Sequence, residues 1–170
     1  MSTFKEVMEA LFTKEARYVI SEGDGIEDAI VTHEAFFRHC RNEVRILCSD
    51  FKPEVLDSRE VLDATRDMLE RGVCMYLSMT GAVRNVEFLR LVLDERYEGQ
   101  VFIWKGRPLE DNDGNQLSFM VVDGHAFRFE HNGKAVASAN DTDFSRRLMN
   151  AFEFSLLDEK VEMDDSRKDV

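Results

Sequence analysis

The 170-residue sequence lacks a long apolar segment. Its longest apolar run falls well short of the roughly 18–20 residues that a membrane-spanning helix requires. The first residues, Met1 to Glu6, also lack the basic start and apolar centre of a signal peptide. We therefore expect no contact with a membrane and a cytoplasmic location. Internal repeats, low-complexity tracts and interdomain linkers are absent from the sequence as well.

Cysteine is scarce, with only Cys40, Cys48 and Cys74 in the chain. Their odd number and the lack of a Cys-x-x-Cys pair argue against a disulfide framework, a redox pair or a metal site. They fall at the end of one predicted helix and within two predicted strands. A thiol in such places behaves as a small apolar side chain, so we expect buried structural cysteines.

Patterns that would hold a metal ion are incomplete. Asp111 opens a polar segment that resembles a calcium loop, but the twelfth position from it is Val122 instead of Glu. His33 precedes Glu34, but no second His follows at the spacing of a zinc protease. The sequence predicts no metal and no other cofactor.

Basic residues are outnumbered, because 22 Lys and Arg stand against 34 Asp and Glu, for a net charge of −12. Proteins that hold duplex nucleic acid through its phosphates normally present a basic face. Non-specific nucleic-acid binding is therefore disfavoured. The acidic surface fits a protein that occupies the basic site of a partner, as a nucleic-acid mimic or inhibitor does.

The residues that are present suffice for one folded domain. A hydrophobic content of 44%, including 13 Phe, supplies a core for a chain of this length. We expect a domain over residues 1–158. The tail, residues 159–170, is mostly charged, and we expect it to be acidic and disordered.

The first part of the chain alternates between helix and strand patterns. Apolar residues at helical spacing predict helices over residues 3–12, 26–40, 57–71 and 82–97. In the third of these, Asp57 and Glu60 have the spacing of a capping box, with Asp57 as the N-cap. Apolar runs predict strands at residues 44–48, 73–79 and 101–104. This alternation indicates an α/β fold with βαβ crossovers and a largely parallel sheet.

The second part has a different pattern. Asp123-Gly124 and Asn132-Gly133 are two-residue hairpin signals, since both pairs tolerate positive φ. They separate predicted strands at residues 117–122, 125–130 and 134–138, which gives an antiparallel meander. Asp141 or Thr142 then caps a final helix with Phe144, Leu148, Phe152 and Leu156 at helical spacing.

One segment of this meander carries a recognisable pattern. Gln116, Ser118 and Asp123 are followed by Ser138 and Asn140. This arrangement resembles the phospholipase D superfamily, whose pattern is His-x-Lys-x-x-x-x-Asp and then Gly-Ser-x-Asn. Gln116 stands in the His register, Ser118 in the Lys register and Asp123 in the Asp register. The helix and the Arg-Gly-Val turn over residues 61–73 extend the resemblance, which covers most of residues 26–157.

The resemblance implies a fold and an assembly. The expected fold is the phospholipase D-like mixed sheet flanked by helices, and this chain has room for one half of the family's twofold architecture. In active members two motifs face one another: one His attacks phosphorus, the other protonates the leaving group, Lys holds phosphate oxygens and Asp orients the imidazole. The resemblance thus implies a homodimer, with Gln116, Ser118 and His125 near the axis. A different, larger protein is the alternative partner.

The substituted motif residues lack the chemistry of the originals. The carboxamide of Gln116 is neither a nucleophile nor a general acid near neutral pH. Ser118 offers a neutral hydroxyl where a cation would stabilise transition-state charge. The resemblance leaves Gln116, Ser118, Asp123, Ser138 and Asn140 as candidate ligand-binding residues. Structural roles compete: Asp123 can start a turn, and Ser138 and Asn140 can cap a helix.

Three functional interpretations follow. The first is a catalytically inactive phospholipase D-like protein that acts as a dimeric binding, scaffold or regulatory subunit. Small members of the family are associated with DNA processing and phage defence, and the resemblance suggests one of these processes. The second is a divergent phosphodiesterase or nuclease that uses His125, Asp123 and Glu153. A structural role competes for each, because His125 can be a core or interface histidine and Glu153 resembles a family residue that buttresses the site. The third is the acidic mimic or inhibitor.

Overall fold

Eight strands form a mixed sheet in the computed structural model, which describes residues 2–13, 18–82, 86–156 and 160–161. Their spatial order is β1-β7-β6-β5-β2-β3-β4-β8. Strands β2, β3 and β4 are parallel to one another, and every other neighbouring pair is antiparallel. The strands are β1 Ile20–Ser21, β2 Glu43–Cys48, β3 Cys74–Met79, β4 Val101–Lys105, β5 Ser118–Val122, β6 Ala126–His131, β7 Lys134–Ser138 and β8 Lys160–Val161.

Helices cover both faces of this sheet. They are α1 Phe4–Thr13, α2 Ile26–His39, α3 Pro53–Leu56, α4 Arg59–Glu70, α5 Glu87–Val92 and α6 Thr142–Ser155, with a 3₁₀ turn at Glu95–Tyr97. Helices α1 to α5 pack through residues such as Met8, Phe36 and Met68 into the larger core. Helix α6 packs on the opposite face through Leu148 and Phe152. Strand side chains alternate between the two cores, so one strand serves both.

The predicted α/β architecture is confirmed, with the parallel strands and the antiparallel meander where the sequence patterns indicate them. The prediction of one helix over residues 82–97 was wrong, since α5 covers only Glu87–Val92 of that segment; residues 83–85 lie outside the described part of the chain. Asp57 is not the N-cap of α4. Ser58 caps that helix, while the Asp57 carboxylate accepts the amide of Phe88 at 2.9 Å and joins α5 to α4.

The Arg-Gly-Val turn has a structural task. The guanidinium group of Arg71 donates hydrogen bonds to the carbonyl oxygens of Phe37, Arg38 and Cys40 at 2.9 to 3.2 Å. These carbonyls end α2, where backbone acceptors lack helical partners and positive charge is favourable. Arg71, which belongs to the part of the chain that resembles the family, thus holds α2 against α4.

Both predicted hairpin turns are confirmed. Asp123 and Gly124 have φ values of 52° and 73°, and Asn132 and Gly133 have 52° and 74°. Two consecutive residues at positive φ match the right-handed twist of the flanking strands, which explains why Asx-Gly pairs stand at both turns. These two turns carry the chain from β5 through β6 to β7.

The predicted final helix is also confirmed, with the Asp141 carboxylate accepting the amide of Phe144 at 2.9 Å as its N-cap. Within the predicted tail, the structure describes only Lys160 and Val161, which pair with β4 at the edge of the sheet. The other tail residues, 159 and 162–170, lie outside the described part. Among the described helices, none is long and apolar enough to cross a membrane.

Candidate functional site

The parallel strands give the sheet two chemically different edges. We call the edge where β2, β3 and β4 end the carboxyl edge and the edge where they begin the amino edge. Ser118 starts β5, which runs antiparallel to β2, so Ser118 lies at the carboxyl edge beside Ser49. The two hydroxyl oxygens are 2.6 Å apart, and the Ser49 amide donates to the Ser118 hydroxyl at 3.1 Å. Ligands of open α/β sheets bind at this edge.

A cavity of about 170 Å³ opens beside this serine pair, between the sheet and helices α2 and α3. We refer to it as the carboxyl-edge cavity. Much of its wall is apolar, and Ile26, Ala29, Ile46, Phe51, Val55 and Met120 contribute to it. Polar groups from several elements complete the wall, among them Ser49, Ser118 and His33. Apolar walls with a few convergent polar groups are typical of small-molecule sites.

A buried ion cluster forms one side of the cavity. The guanidinium of Arg128 donates to the two carboxylate oxygens of Glu22 at 2.7 and 2.9 Å and to Glu130 at 3.0 Å. The Lys52 ammonium contacts the other oxygen of Glu130. Burial alone would raise the pKa of Glu130, but Lys52 and Arg128 together lower it below its usual range. The two cations are therefore already neutralised by protein carboxylates.

His33 lines the same cavity as a neutral side chain. Burial lowers the pKa of His33 to about 3, and the nearby charges of Arg128 and Lys52 act in the same direction. A neutral imidazole has one N–H, and Nδ1 uses it to donate to the Ala29 carbonyl oxygen at 2.7 Å. Nε2 is therefore an acceptor, and the residues that the structure describes give it no hydrogen-bond partner.

Gln116, in the His register of the motif, does not line this cavity. Its side chain is exposed, and its backbone forms an isolated bridge with Glu110. The segment is anchored beside it by the Leu117 amide, which donates to the Leu109 carbonyl oxygen at 2.8 Å. Gln116 therefore stands on the surface of the carboxyl edge, two residues before the serine pair.

Asp123 lies at the amino edge, where it organises the start of β2. Its carboxylate accepts the backbone amides of Arg41, Asn42 and Glu43 at 2.8, 2.8 and 3.0 Å. Burial, and then the Asp123 charge, raise the pKa of the adjacent Cys40 thiol, so this cysteine stays protonated. The motif aspartate is a capping group for the turn between α2 and β2.

Three further candidates share the amino edge with Asp123. His125 Nδ1 donates to the Ala139 carbonyl oxygen at 2.7 Å, and the Asn140 amide group donates to the Leu11 carbonyl at 3.3 Å. The buried Ser138 hydroxyl has no hydrogen-bond partner among the described residues. The β6–β7 hairpin accounts for this placement, because β7 runs parallel to β5 and returns the chain to the amino edge.

The structure thus divides the predicted site residues into two groups. Gln116 and Ser118 lie at one edge, and Asp123 lies at the other with His125, Ser138 and Asn140. Strand β5 separates them by five residues, or about 17 Å at the rise of an antiparallel strand. Within one chain, therefore, the candidate ligand-binding residues do not meet at one place, and His125 lies at the opposite edge from Gln116 and Ser118. Glu153 belongs to neither group, since it pairs with Arg45 on the α6 face.

Three solved structures have a similar architecture: Nuc, NucT and an archaeal chromatin protein. Nuc from Salmonella typhimurium, described as a phospholipase D family member, is 9% identical with a TM-score of 0.57, over 86% of this chain and 98% of that one. NucT from Helicobacter pylori is 14% identical with a TM-score of 0.56, over 86% and 98%. The chain has the phospholipase D fold.

TrmBL2, an archaeal chromatin protein, is similar in structure to this chain at 18% identity and a TM-score of 0.55, over 87% of this chain and 55% of TrmBL2. No family model and no curated protein matches the sequence. Identities this low carry the fold alone, so the function must be argued from the site.

Within the phospholipase D-like fold, the carboxyl edge offers little of the chemistry needed for phosphoryl transfer. Ser118 is engaged with Ser49, and Gln116 has no titratable group. Since the pKa of His33 is lowered to about 3, its imidazole cannot serve as a general acid near neutral pH. Both cations in the cavity wall are paired with carboxylates. The described residues of this edge form a cavity with a few polar groups and do not present a charged catalytic pair.

Sequence reasoning overlooked two residues of this cavity, His33 and Arg128. His33 was tested only as half of a zinc motif, although it follows Ile30 by three residues and precedes Phe36 by three, which places it on the buried face of α2. Arg128 alternates with Phe127 and Phe129 and therefore faces the core of α1 to α5. A charged or titratable residue on a predicted core face was the available signal in both cases.

Proposed function

We propose that this chain is a non-catalytic phospholipase D-like protein that acts as a dimeric ligand-binding or regulatory subunit. The observation that carries the proposal concerns Ser118, the residue that stands in the Lys register of the motif. Ser118 is hydrogen-bonded to Ser49 beside a cavity whose two cations are both neutralised by carboxylates. A binding site persists at this edge, and the groups for phosphoryl transfer do not.

The energetic argument follows from the lost groups. Removing one oriented group that stabilises the transition state commonly costs roughly 2.7–4 kcal/mol in activation free energy. The family's nucleophile is also missing, because Gln116 stands in the His register. These losses together bring the family reaction close to the uncatalysed rate.

The divergent-enzyme alternative gains no support from the amino edge. Asp123 directs its carboxylate to three backbone amides, and His125 uses Nδ1 for the Ala139 carbonyl. No hydrogen bond joins these two described side chains, so they do not form an acid–base pair. DNA binding, named for TrmBL2, is not carried over either, since this chain has a net charge of −12.

We predict no turnover of bis-p-nitrophenyl phosphate, DNA or phosphatidylcholine above a buffer control. The physical reason is that Gln116 and Ser118 replace the motif His and Lys, and that Lys52 and Arg128 in the described cavity wall are paired with carboxylates. Hydrolysis would be followed by absorbance for the first substrate and by product separation for the others. Activity that survives repurification and disappears in His33→Phe or His125→Ala would refute the proposal and identify the catalytic histidine.

We also predict a homodimer formed through the carboxyl edge. The family's twofold architecture places two copies of this edge together, and Gln116 is exposed there. In Gln116→Arg, two added cations would face each other across the axis. Sedimentation should show about twice the monomer mass for the wild-type protein at micromolar concentration and a clear shift to monomer for the variant.

Asn42→Arg is the matched control for this experiment, because Asn42 is also exposed, at the amino edge, and the charge change is the same. It should leave the dimer intact. A monomeric wild-type protein, or a dimer broken by Asn42→Arg and not by Gln116→Arg, would contradict the model. In the first case a different protein becomes the expected partner.

A further inference from the structure

We propose that the carboxyl-edge cavity binds an uncharged aromatic or heterocyclic small molecule that donates a hydrogen bond to Nε2 of His33. This inference rests on the proposed function and names the ligand class for the same edge. It depends on the size of the cavity, on the charges in its wall and on the tautomer of His33.

The size of the cavity sets the scale of the ligand. A volume of about 170 Å³ lies between the sheet and helices α2 and α3. For comparison, an engineered apolar cavity of about 150 Å³ holds one benzene molecule. The apolar side chains of Ile26, Phe51 and Met120 bound this space. One six-membered ring, with a polar substituent or a fused ring toward the opening, matches these dimensions and this wall.

The charges of the wall exclude an anionic ligand. Its cations, Lys52 and Arg128, are paired with Glu22 and Glu130. Two exposed carboxylates, Asp24 and Asp50, add further negative charge to the lining. A phosphate or carboxylate would have to displace a buried carboxylate from its partner, which leaves an uncompensated buried charge.

A cationic ligand is also disfavoured inside the cavity. The two buried carboxylates are both engaged by Arg128, so an ammonium group would lose its hydration without gaining a free partner. An uncharged ligand meets neither obstacle. Asp24 and Asp50 are exposed to solvent, so the neutrality of the ion cluster inside the cavity favours neutral molecules.

His33 supplies the directional contact. Because Nδ1 donates to Ala29, the tautomer is fixed and Nε2 carries a lone pair. His33 lines the cavity, so a ligand N–H or O–H can donate a hydrogen bond to this lone pair. Burial and the neighbouring cations lower the pKa of His33 to about 3, so it remains an acceptor at neutral pH.

The serine pair offers the complementary contact. Ser49 and Ser118 have two hydroxyl hydrogens between them, and their mutual hydrogen bond uses one. The second can be donated to a ligand acceptor. A ring that carries both a donor and an acceptor, such as a phenol or an uncharged nitrogen heterocycle, satisfies His33 and the serine pair at once.

The experiment uses phenol as the probe, with benzene, phenyl phosphate and benzylamine as comparisons. Binding to the ¹⁵N-labelled full-length protein is followed by amide chemical-shift changes during titration at pH 7.5. We expect phenol to shift the amides of Ala29, His33, Ser49 and Ser118. Benzene should bind roughly 2- to 12-fold more weakly, the ratio expected for one net hydrogen bond. The two charged probes should not shift these amides.

Two variants test the contact. His33→Phe keeps a ring in place but removes the acceptor, so the affinity for phenol should fall to that for benzene. Ala29→Leu adds volume to the cavity wall and should abolish binding of both, which keeps the proposal testable if His33→Phe fails to fold. His39→Phe is the control, because His39 lies on the same helix, outside the cavity, stacked on Phe12.

Several outcomes would overturn the inference. These are an absence of phenol-induced shifts at the cavity amides, stronger binding of phenyl phosphate than of phenol, or unchanged phenol affinity in both His33→Phe and Ala29→Leu. The result is separable from the hydrolysis test. Failure of phenol binding with no hydrolysis removes only the ligand class, whereas hydrolysis removes the non-catalytic function whatever the cavity binds.

Discussion

Replacing Arg128 by Met is expected to lower the free energy of unfolding by about 3–5 kcal/mol, the usual cost of removing one partner from a buried ion pair. Arg128 is 7% exposed, and its guanidinium is shared by Glu22 and Glu130. Met fills a similar volume, so the loss would come mainly from the carboxylate charge left without its partner. Urea unfolding followed by far-ultraviolet circular dichroism measures it.

The double variant Arg128→Met with Glu22→Gln should recover part of this loss, because it removes one of the uncompensated charges. Arg66→Met is the control. Arg66 pairs with Asp63 on the surface, and such exposed pairs contribute less than about 1 kcal/mol. A loss in Arg128→Met no larger than in Arg66→Met would show that the cluster does not stabilise the fold.

The pH dependence of this difference has a defined sign. The pKa of Glu130 is lowered in the folded protein, so its pairing stabilises the fold above the ordinary Glu value of about 4.3 and is lost as the pH falls. The gap between wild type and Arg128→Met should therefore stay constant near neutral pH and narrow as the pH falls below about 4.3. A gap that widens over this range would contradict the assigned charge state.

Local sequence signals predicted the scaffold because the interactions that form it are local. The Asx-Gly pairs require only the conformations of Asp123 and Asn132 themselves, and both turns formed at positive φ. The parallel strands were evident from their apolar runs. Helix 82–97 was overestimated because its apolar spacing continues past Val92, whereas the chain turns at Leu93 and forms only a 3₁₀ turn beyond it.

The site was harder to predict because its parts are distant in sequence. The carboxyl-edge cavity joins Glu22, His33, Ser49, Ser118 and Arg128, which come from different elements of the chain. Spacing in the sequence carries no information on such a grouping. The motif register at Ser138 and Asn140 did not take account of the predicted second hairpin, at Asn132-Gly133, which returns the chain to the amino edge.

Asp123 is the residue for which the motif and the structure differ most, and replacing it tests the structural role directly. We expect Asp123→Gly to lower the free energy of unfolding by roughly 2–4 kcal/mol, because three amides lose a charged acceptor. Gly keeps the φ of 52° without strain, so this variant isolates the lost hydrogen bonds.

Asp123→Asn and Asp123→Ala separate the two contributions further. Asn tolerates positive φ and retains one acceptor oxygen. We therefore expect Asp123→Asn to lower the free energy of unfolding by about half as much as Asp123→Gly does. Ala lacks the acceptor oxygen and does not tolerate positive φ, so Asp123→Ala should be less stable than Asp123→Gly by about 1 kcal/mol. The predicted order of stability is therefore wild type, Asn, Gly and Ala. If Asp123 were catalytic or oriented a ligand, the free energy of unfolding would change little in any variant, and binding or turnover at the carboxyl edge would fall measurably. That result would contradict the structural role and assign Asp123 to the functional site.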